Sequence, residues 1–287
     1  MKQSFIDNIK QEFPFFIGIP GFIWQLLFFY IPLLFVLALS VADVQDGIVK
    51  GFTLSNFTQF FSLVFARVII RSCLLGIFTA ITCLLFAYPI AYFMAFKAKR
   101  FKNLLLFLLI VPFWTNFLLH IYAWFFVLER QGFLNNLLIN IGLIQEPLII
   151  LNSMVAVGIM MVYYYLPFMV LPIYSVLEKF DKRLLEASAD LGATWLSTFR
   201  RILLPLTMPG IQAGFFLVFV PSFAEFAIPE LMGGDKKMFV GTVVSHYILG
   251  GQTISSGAAF TVLSSLVLIT ISIVLYALMR RLMRVSS

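Results

Sequence analysis

The sequence predicts an all-α polytopic membrane protein with about six transmembrane helices. Of the 287 residues, 61% are hydrophobic and 11% are charged, whereas about 25% of the residues in a typical soluble domain are charged. The mean hydropathy is +1.00, and 34 residues are Phe. A soluble fold could not hide so much apolar surface from water. This composition therefore excludes a soluble enzyme and a nucleic-acid-binding domain.

Six uncharged stretches are long enough to cross the hydrocarbon core of a bilayer, which takes about 20 residues as a helix. We predict spans at 21–41, 69–95, 104–127, 154–176, 208–229 and 258–279. A polar, Gly-rich approach over residues 241–257 precedes the last span. Cys73 and Cys83 belong to one predicted helix and are separated along it by about 15 Å, which is too far for a disulfide.

The basic residues predict how the spans are oriented. Fourteen of the 20 Lys and Arg residues lie in four segments. These are the N-terminal segment 1–20, the loops 96–102 and 178–207, and the tail 280–287. The positive-inside rule places these segments, and thus both termini, in the cytoplasm, and makes residues 42–67 a periplasmic loop. The alternative of a signal-peptide cleavage site at Ser-Val-Ala (40–42) is less favoured, because the apolar run before it is too long.

The loop 178–207 has a helical pattern in spite of its charges. Apolar or small residues recur at spacings of four and three, which predicts one helix face: Leu185, Ala189, Gly192, Leu196 and Phe199. Gly192 permits a turn, and Pro205 and Pro209 predict an end to the local structure before the fifth span. We therefore predict a short helix, a glycine turn and a second short helix as a docking element. The alternative is an ordinary amphipathic helix on the membrane surface.

Specific residues of this loop carry a family resemblance. Glu186-Ala187-Ser188, Gly192 six residues after Glu186, and 202–205 (Ile-Leu-Leu-Pro) closely resemble the EAA loop of ABC importer permeases. That pattern is Glu-Ala-Ala, three residues, Gly, nine residues, Ile, any residue and Leu-Pro. The chain departs from it at Ser188 alone, where one small residue replaces another.

The resemblance implies a type I ABC importer permease fold, with a permease core over 68–279. It also implies that the loop docks as a coupling helix in a cleft of a separate ATP-binding subunit, whose closure moves the spans between inward-open and outward-open states. The implied coupling residues are Glu186, Ala187, Ser188, Asp190, Gly192, Ile202, Leu204 and Pro205. Because the chain contains no G-x-x-x-x-G-K-[ST] phosphate loop, we expect it to be no ATPase itself.

Three further stretches, 105–124, 163–193 and 225–234, look like permeases of the spermidine/putrescine type. Such a permease would work in the bacterial inner membrane. Its implied partners are two copies of an ATP-binding subunit, a second permease, a periplasmic substrate-binding protein and membrane lipid, without nucleic acid or a cofactor. The chain departs from that group before the last span, where 250–255 read Gly-Gly-Gln-Thr-Ile-Ser in place of an Asp-Trp-Pro element. Ferric ion, thiamine or an amino acid is the alternative cargo, and an ATP-independent secondary transporter is a more distant alternative.

A path for a flexible polycation requires carboxylates and aromatic faces. The candidate path residues are Trp114, Thr115, Asn116, Glu225 and Glu230. The alternatives are structural: a pairing of Glu225 with Arg71 or another polar group, and an interfacial position for Glu230. Trp124 and the tyrosines of 163–165 are typical of interface anchors. His120 and His246 lie on different spans from both cysteines, so no metal-ligand spacing is visible.

Overall fold

We describe the protein from a computed structural model over residues 19–45, 48–98, 100–234, 237–250 and 253–285. Residues 1–18 of the predicted N-terminal segment lie outside this description, as do Gly251 and Gln252 of the predicted approach to the last span and residues 286–287 of the predicted tail. Within the described ranges the protein is almost entirely helical. The single sheet is a two-stranded antiparallel hairpin of β1 (Ala42–Gln45) and β2 (Ile48–Phe52).

The helices are, in chain order, α1 (Ile19–Ser40), α2 (Ser55–Thr58), α3 (Leu63–Phe96), α4 (Lys102–Ile110), α5 (Phe117–Leu128), α6 (Phe133–Asn140), α7 (Met154–Glu178), α8 (Arg183–Asp190), α9 (Trp195–Thr198), α10 (Leu204–Ala224), α11 (Ala227–Met232), α12 (Val240–Ile248) and α13 (Ile254–Val285). Five helices of the described chain are long and apolar enough to span a membrane, and a bent pair raises the number to six. The fold class predicted from composition is therefore confirmed.

The chain divides into two compact units, of which the first comprises Met1–Ser62 and Val244–Ser265. In this unit α1 has no buried residue in its most apolar window. The Asn56 amide donates to the carbonyl oxygens of Ser40 and Ala42, at 3.1 and 2.9 Å, and so fixes the start of the hairpin. Phe60 is buried and packs against the ring of Phe260 at 4.9 Å.

The second unit comprises Leu63–Val243 and Leu266–Ser287, and α3, α7 and α10 form its core. On α3, small side chains line the buried face: Ala80, Cys83, Ala87 and Ala91, all fully buried. Gly210 and Gly214 bring α10 against α7, because a Cβ at Gly210 would lie 2.8 Å from the Pro172 carbonyl oxygen. This close approach is the role that a G-x-x-x-G pair plays between membrane helices.

The third predicted span is broken. The helical pair Lys102–Trp114 and Phe117–Asn140 bends by 99° between Trp114 and Phe117. Thr115 has an extended backbone, with φ −92° and ψ 160°, and the Asn116 side chain caps α5 by accepting from the Leu118 amide at 2.9 Å. One continuous helix over 104–127 is therefore incorrect, because a proline and an N-cap residue interrupt an otherwise uniformly apolar stretch.

The fifth predicted span also needs correction at both ends. The helix is continuous from Trp195 to Ala224, so Pro205 and Pro209 do not end the local structure. A π-helical turn (Phe199–Leu203) precedes Pro205, which then lies in the first turn of α10, where its missing N–H is tolerated. At the other end, Glu225 has an extended backbone, and residues 227–229 belong to the separate helix α11.

Candidate functional site

The loop after α7 contains a short helix followed by a glycine turn, as predicted, but the second helix is not short, because it continues from Trp195 to Ala224. α8 ends at Asp190, and Gly192 adopts a φ of +74°, a conformation that glycine accepts without steric cost. Thr194 then caps α9 by accepting from the Ser197 amide at 3.4 Å. Because the backbone turns at Gly192, Leu185, Leu196 and Phe199 do not share one helix face as the spacing suggested.

A hydroxyl pair joins the two helices of this segment. The Ser188 and Thr198 hydroxyl oxygens lie 2.6 Å apart, and Ser188 is buried. Ser188, where the chain departs from Glu-Ala-Ala, therefore supplies a polar link between α8 and the helix that continues into α10. The sequence offered no indication of this bond, since its two partners are ten residues apart.

The outer surface of the segment is exposed and combines acidic and apolar side chains. Glu186, Ala187, Asp190 and Gly192 are all exposed, and Leu191 is 87% exposed. Glu186 and Asp190 are four residues apart on α8, and neither forms an ion pair within the described chain. The exposed carboxylates of Glu186 and Asp190 lie near the exposed Leu191 side chain, and such a surface suits a partner with basic and apolar groups.

The remaining predicted coupling residues lie elsewhere. Ile202, Leu204 and Pro205 are half-buried in the π-helical turn and the start of α10. They lie at the start of the helix that follows the Gly192 turn and do not belong to the exposed surface of α8.

The loop that contains this segment meets the loop between α3 and α4. Lys102 Nζ donates to Glu178 Oε1 at 2.8 Å, and the Tyr174 hydroxyl donates to the same oxygen at 2.9 Å. The ion pair thus connects the start of α4 with the end of α7. Lys182 Nζ lies 5.1 Å from the centre of the Phe96 ring and adds a second contact between the two loops.

Glu225 lies where α10 ends, and both of its carboxylate oxygens are bonded. Oε2 accepts from the Tyr165 hydroxyl at 2.7 Å, and Oε1 accepts from the Ala227 amide at 3.0 Å. Tyr165 is 4% exposed and so is not an interface anchor. The partner of Glu225 is this tyrosine, and no ion pair with Arg71 occurs in the part of the chain described.

Glu230 lies in the first turn of α11 and is exposed. A carboxylate near a helix N-terminus is favoured by the helix dipole. Glu225 and Glu230 therefore differ in setting: the first is tied to α7, whereas the second faces outward from a short helix.

The break between α4 and α5 is held by a histidine that the sequence did not single out for a role. His120 Nε2 lies 2.9 Å from the Pro112 carbonyl oxygen and 2.6 Å from Thr115 Oγ1, and Nδ1 lies 2.9 Å from the Tyr163 hydroxyl. Because the Pro112 carbonyl oxygen can only accept, Nε2 donates to it. This cluster connects the break to α7.

Trp114 is 75% exposed at this break and contacts Phe107 edge-on. Aromatic rings connect the break to Glu225: Phe113 contacts Tyr164 at 5.6 Å, and Tyr164 contacts Tyr165 at 5.3 Å. Of the predicted path residues, Glu225 contacts this aromatic cluster and Thr115 contacts His120 at the break, whereas the ring that Trp114 contacts is Phe107. Within the described residues, no group of three His, Cys, Asp or Glu side chains could hold a metal ion.

Comparisons with known proteins agree with this architecture. Residues 87–285 match the family model described as "Binding-protein-dependent transport system inner membrane component". The chain is 41% identical over 247 residues to the spermidine/putrescine transport system permease protein PotB of Escherichia coli (strain K12), covering 85% of this chain and 90% of that protein. It is 42% identical to PotB of Haemophilus influenzae over 243 residues, covering 84% and 85% of the two chains.

Among solved structures, the chain is similar to that of a bacterial ABC transporter involved in the import of the acidic polysaccharide alginate. The TM-score is 0.73 at 18% identity, with 97% of this chain and 99% of that chain covered. At this identity the likeness concerns the fold alone, and it confirms the predicted fold of an ABC importer permease.

Proposed function

Since this chain belongs to the family of binding-protein-dependent transport system inner membrane components, we propose that it is the permease subunit of an ATP-driven importer for polyamines. The cargo would be putrescine, spermidine or both. The observation that carries the proposal is the similarity to spermidine/putrescine permeases along most of the chain.

The chemistry of the candidate path supports a cationic cargo. A polyamine carries several ammonium groups, which are stabilised by carboxylates and by the faces of aromatic rings. Glu230 offers an exposed carboxylate, and Trp114 an exposed ring. Glu225 lies beside Tyr164 and Tyr165, so a rearrangement of this cluster would present a second carboxylate to the cargo.

The exposed surface of α8 and the Gly192 turn is the proposed contact with an ATP-binding subunit, two copies of which would serve a pair of permeases. Glu186 and Asp190 would meet basic groups there, and Leu191 an apolar pocket. A periplasmic binding protein would deliver the cargo from the other side. This arrangement requires the loops 96–102 and 178–207 and both termini to lie in the cytoplasm, as the distribution of basic residues predicts.

The experiment is uptake of labelled putrescine and spermidine into proteoliposomes that hold the assembled complex, with ATP inside and binding protein outside. Glu186→Ala should lower uptake and binding of the ATP-binding subunit without changing membrane insertion. Glu146→Ala is the matched control, because it removes an exposed carboxylate from a different loop.

Two results would count against separate parts of the proposal. ATP hydrolysis without uptake of either polyamine by the complete complex would reject the cargo. Full uptake by Glu186→Ala would reject the coupling surface.

A further inference from the structure

The loop between α3 and α4 is attached at both of its ends to the short connector between α7 and α8. At one end, the ring centre of Phe96, the last residue of α3, lies 6.0 Å from that of Phe180 and 5.1 Å from Lys182 Nζ. At the other end, Lys102 forms the 2.8 Å ion pair with Glu178. We call these five residues the loop clamp. Because α7 ends at Glu178 and α8 begins directly after Lys182, the clamp holds the connector from which α8 starts.

The ion pair of the loop clamp is more ordered than an ordinary surface pair. Both of its side chains are 43% exposed, and exposed pairs contribute little when two flexible side chains have to be held in one geometry. Here the hydroxyl of Tyr174, one turn earlier on α7, donates to the same Glu178 oxygen at 2.9 Å, and Tyr174 is buried. The carboxylate is therefore oriented by α7 itself, and only the Lys102 side chain has to be ordered.

The helix α4 has few other fixed points. It contains no buried residue, and Leu105, Leu106 and Leu109 are only partly buried where they pack against the core. Its polar attachment is the side chain of its first residue, Lys102. From there the helix continues for about 20 Å to the break after Trp114. The position of the break therefore depends on how the start of α4 is held.

We propose that Lys102 and Glu178 are positioning residues for transport, because their ion pair makes the start of α4 follow α8 when an ATP-binding subunit moves it. The Ser188–Thr198 hydroxyl pair ties α8 to the long helix that follows. A displacement of α8 would thus travel along two routes, one through that long helix and the other through α4 to the break after Trp114. The inference rests on the proposed contact between α8 and an ATP-binding subunit.

The first test compares amide hydrogen exchange in the complete transporter complex before and after trapping with ADP and vanadate, a comparison that requires no cargo. In the wild type, trapping should change the exchange rates both in α8 and in the first turn of α4. Lys102→Gln should keep the change in α8 and reduce the change in α4 by about two- to fivefold, the range that an exposed ion pair provides.

The outcomes distinguish this inference from the proposed function. If trapping leaves α8 of the wild type unchanged, the contact with the ATP-binding subunit is rejected, and the inference with it. If α8 changes but α4 does not, or if α4 changes equally in Lys102→Gln, the role of the ion pair alone is rejected.

A charge reversal separates positioning from stability. Lys102→Glu and Glu178→Lys should each reduce the response of α4, and the two together, which again pair opposite charges, should restore most of it. The amount of cargo moved per ATP hydrolysed should follow the same order. Lys97→Gln is the matched control, since it removes an exposed lysine of the same loop that forms no ion pair within the described chain. An equal loss in this control, or a double variant as impaired as the single ones, would overturn the proposal.

Discussion

The bond between Tyr165 and Glu225 should be among the strongest single polar contacts of the helix core. Its 2.7 Å length and the charge of the acceptor make it a charge-assisted hydrogen bond, which contributes about 1.5–3 kcal/mol. Tyr165→Phe removes the hydroxyl that donates to Glu225 Oε2, whereas the Ala227 amide still donates to Oε1. A double-mutant cycle of Tyr165→Phe with Glu225→Met, which removes the acceptor at similar side-chain length, should therefore give a coupling free energy of about 1.5–3 kcal/mol.

The assay is unfolding of the purified complex in mixed micelles, followed by the reaction of the fully buried Cys83 with a thiol reagent, in a Cys73→Ala background. The matched control is a cycle of Tyr88→Phe with Thr207→Val, which removes an uncharged hydroxyl pair at 3.2 Å from the same core. That cycle should give about 0.5–1.5 kcal/mol. A coupling for Tyr165 and Glu225 below about 0.5 kcal/mol, or no larger than that of the control, would refute the reasoning.

Three further predictions concern helix contacts and the segment from α8 to Thr198. Gly210→Ala should destabilise the core by about 1–3 kcal/mol, because the new methyl group would clash with the Pro172 carbonyl oxygen of α7. The control is Gly158→Ala, whose methyl group would lie at an ordinary van der Waals distance from Phe78 and should not destabilise the core. Equal unfolding transitions of the two variants in the same assay would contradict this prediction. Gly192→Ala should destabilise the turn by about 1–2 kcal/mol, because a residue with a Cβ is strained at the φ of +74° found there. The expected result is faster amide hydrogen exchange in α8. Ser188→Ala and Thr198→Val should each lower the amount of cargo moved per ATP hydrolysed, and unchanged stoichiometry in both would assign the hydroxyl pair a purely local role.

The lengths of the uncharged apolar stretches predicted six membrane spans, and the structure has five helices of that kind, or six with the bent pair, because a bilayer span depends on length and apolarity, both of which are visible in the sequence. α7 (Met154–Glu178) differs from the predicted 154–176 by two residues. Hydropathy did not predict the break at Thr115 and Asn116, because the residues on both sides of it are apolar and read as one continuous span. Its signal lay in Pro112 and in the capping ability of Asn116.

The candidate site was predictable where it depends on local spacing and not where it depends on tertiary contacts. The Gly192 turn followed from a glycine that interrupts a helical pattern. By contrast, Tyr165 and Glu225 are 60 residues apart, and His120 and Tyr163 are 43 apart. A single sequence gives no sign of such pairs, so the tyrosines were assigned to the membrane interface instead.

The uninterrupted helix from Trp195 to Ala224 has a mechanical consequence. Its 30 residues span about 45 Å, with the Gly192 turn before one end and Glu225 after the other. A tilt of about 5° around its midpoint would displace each end by about 2 Å in opposite directions. If the helix moves as one body, a displacement of the Gly192 turn would therefore move Glu225, at the other end, in the opposite direction.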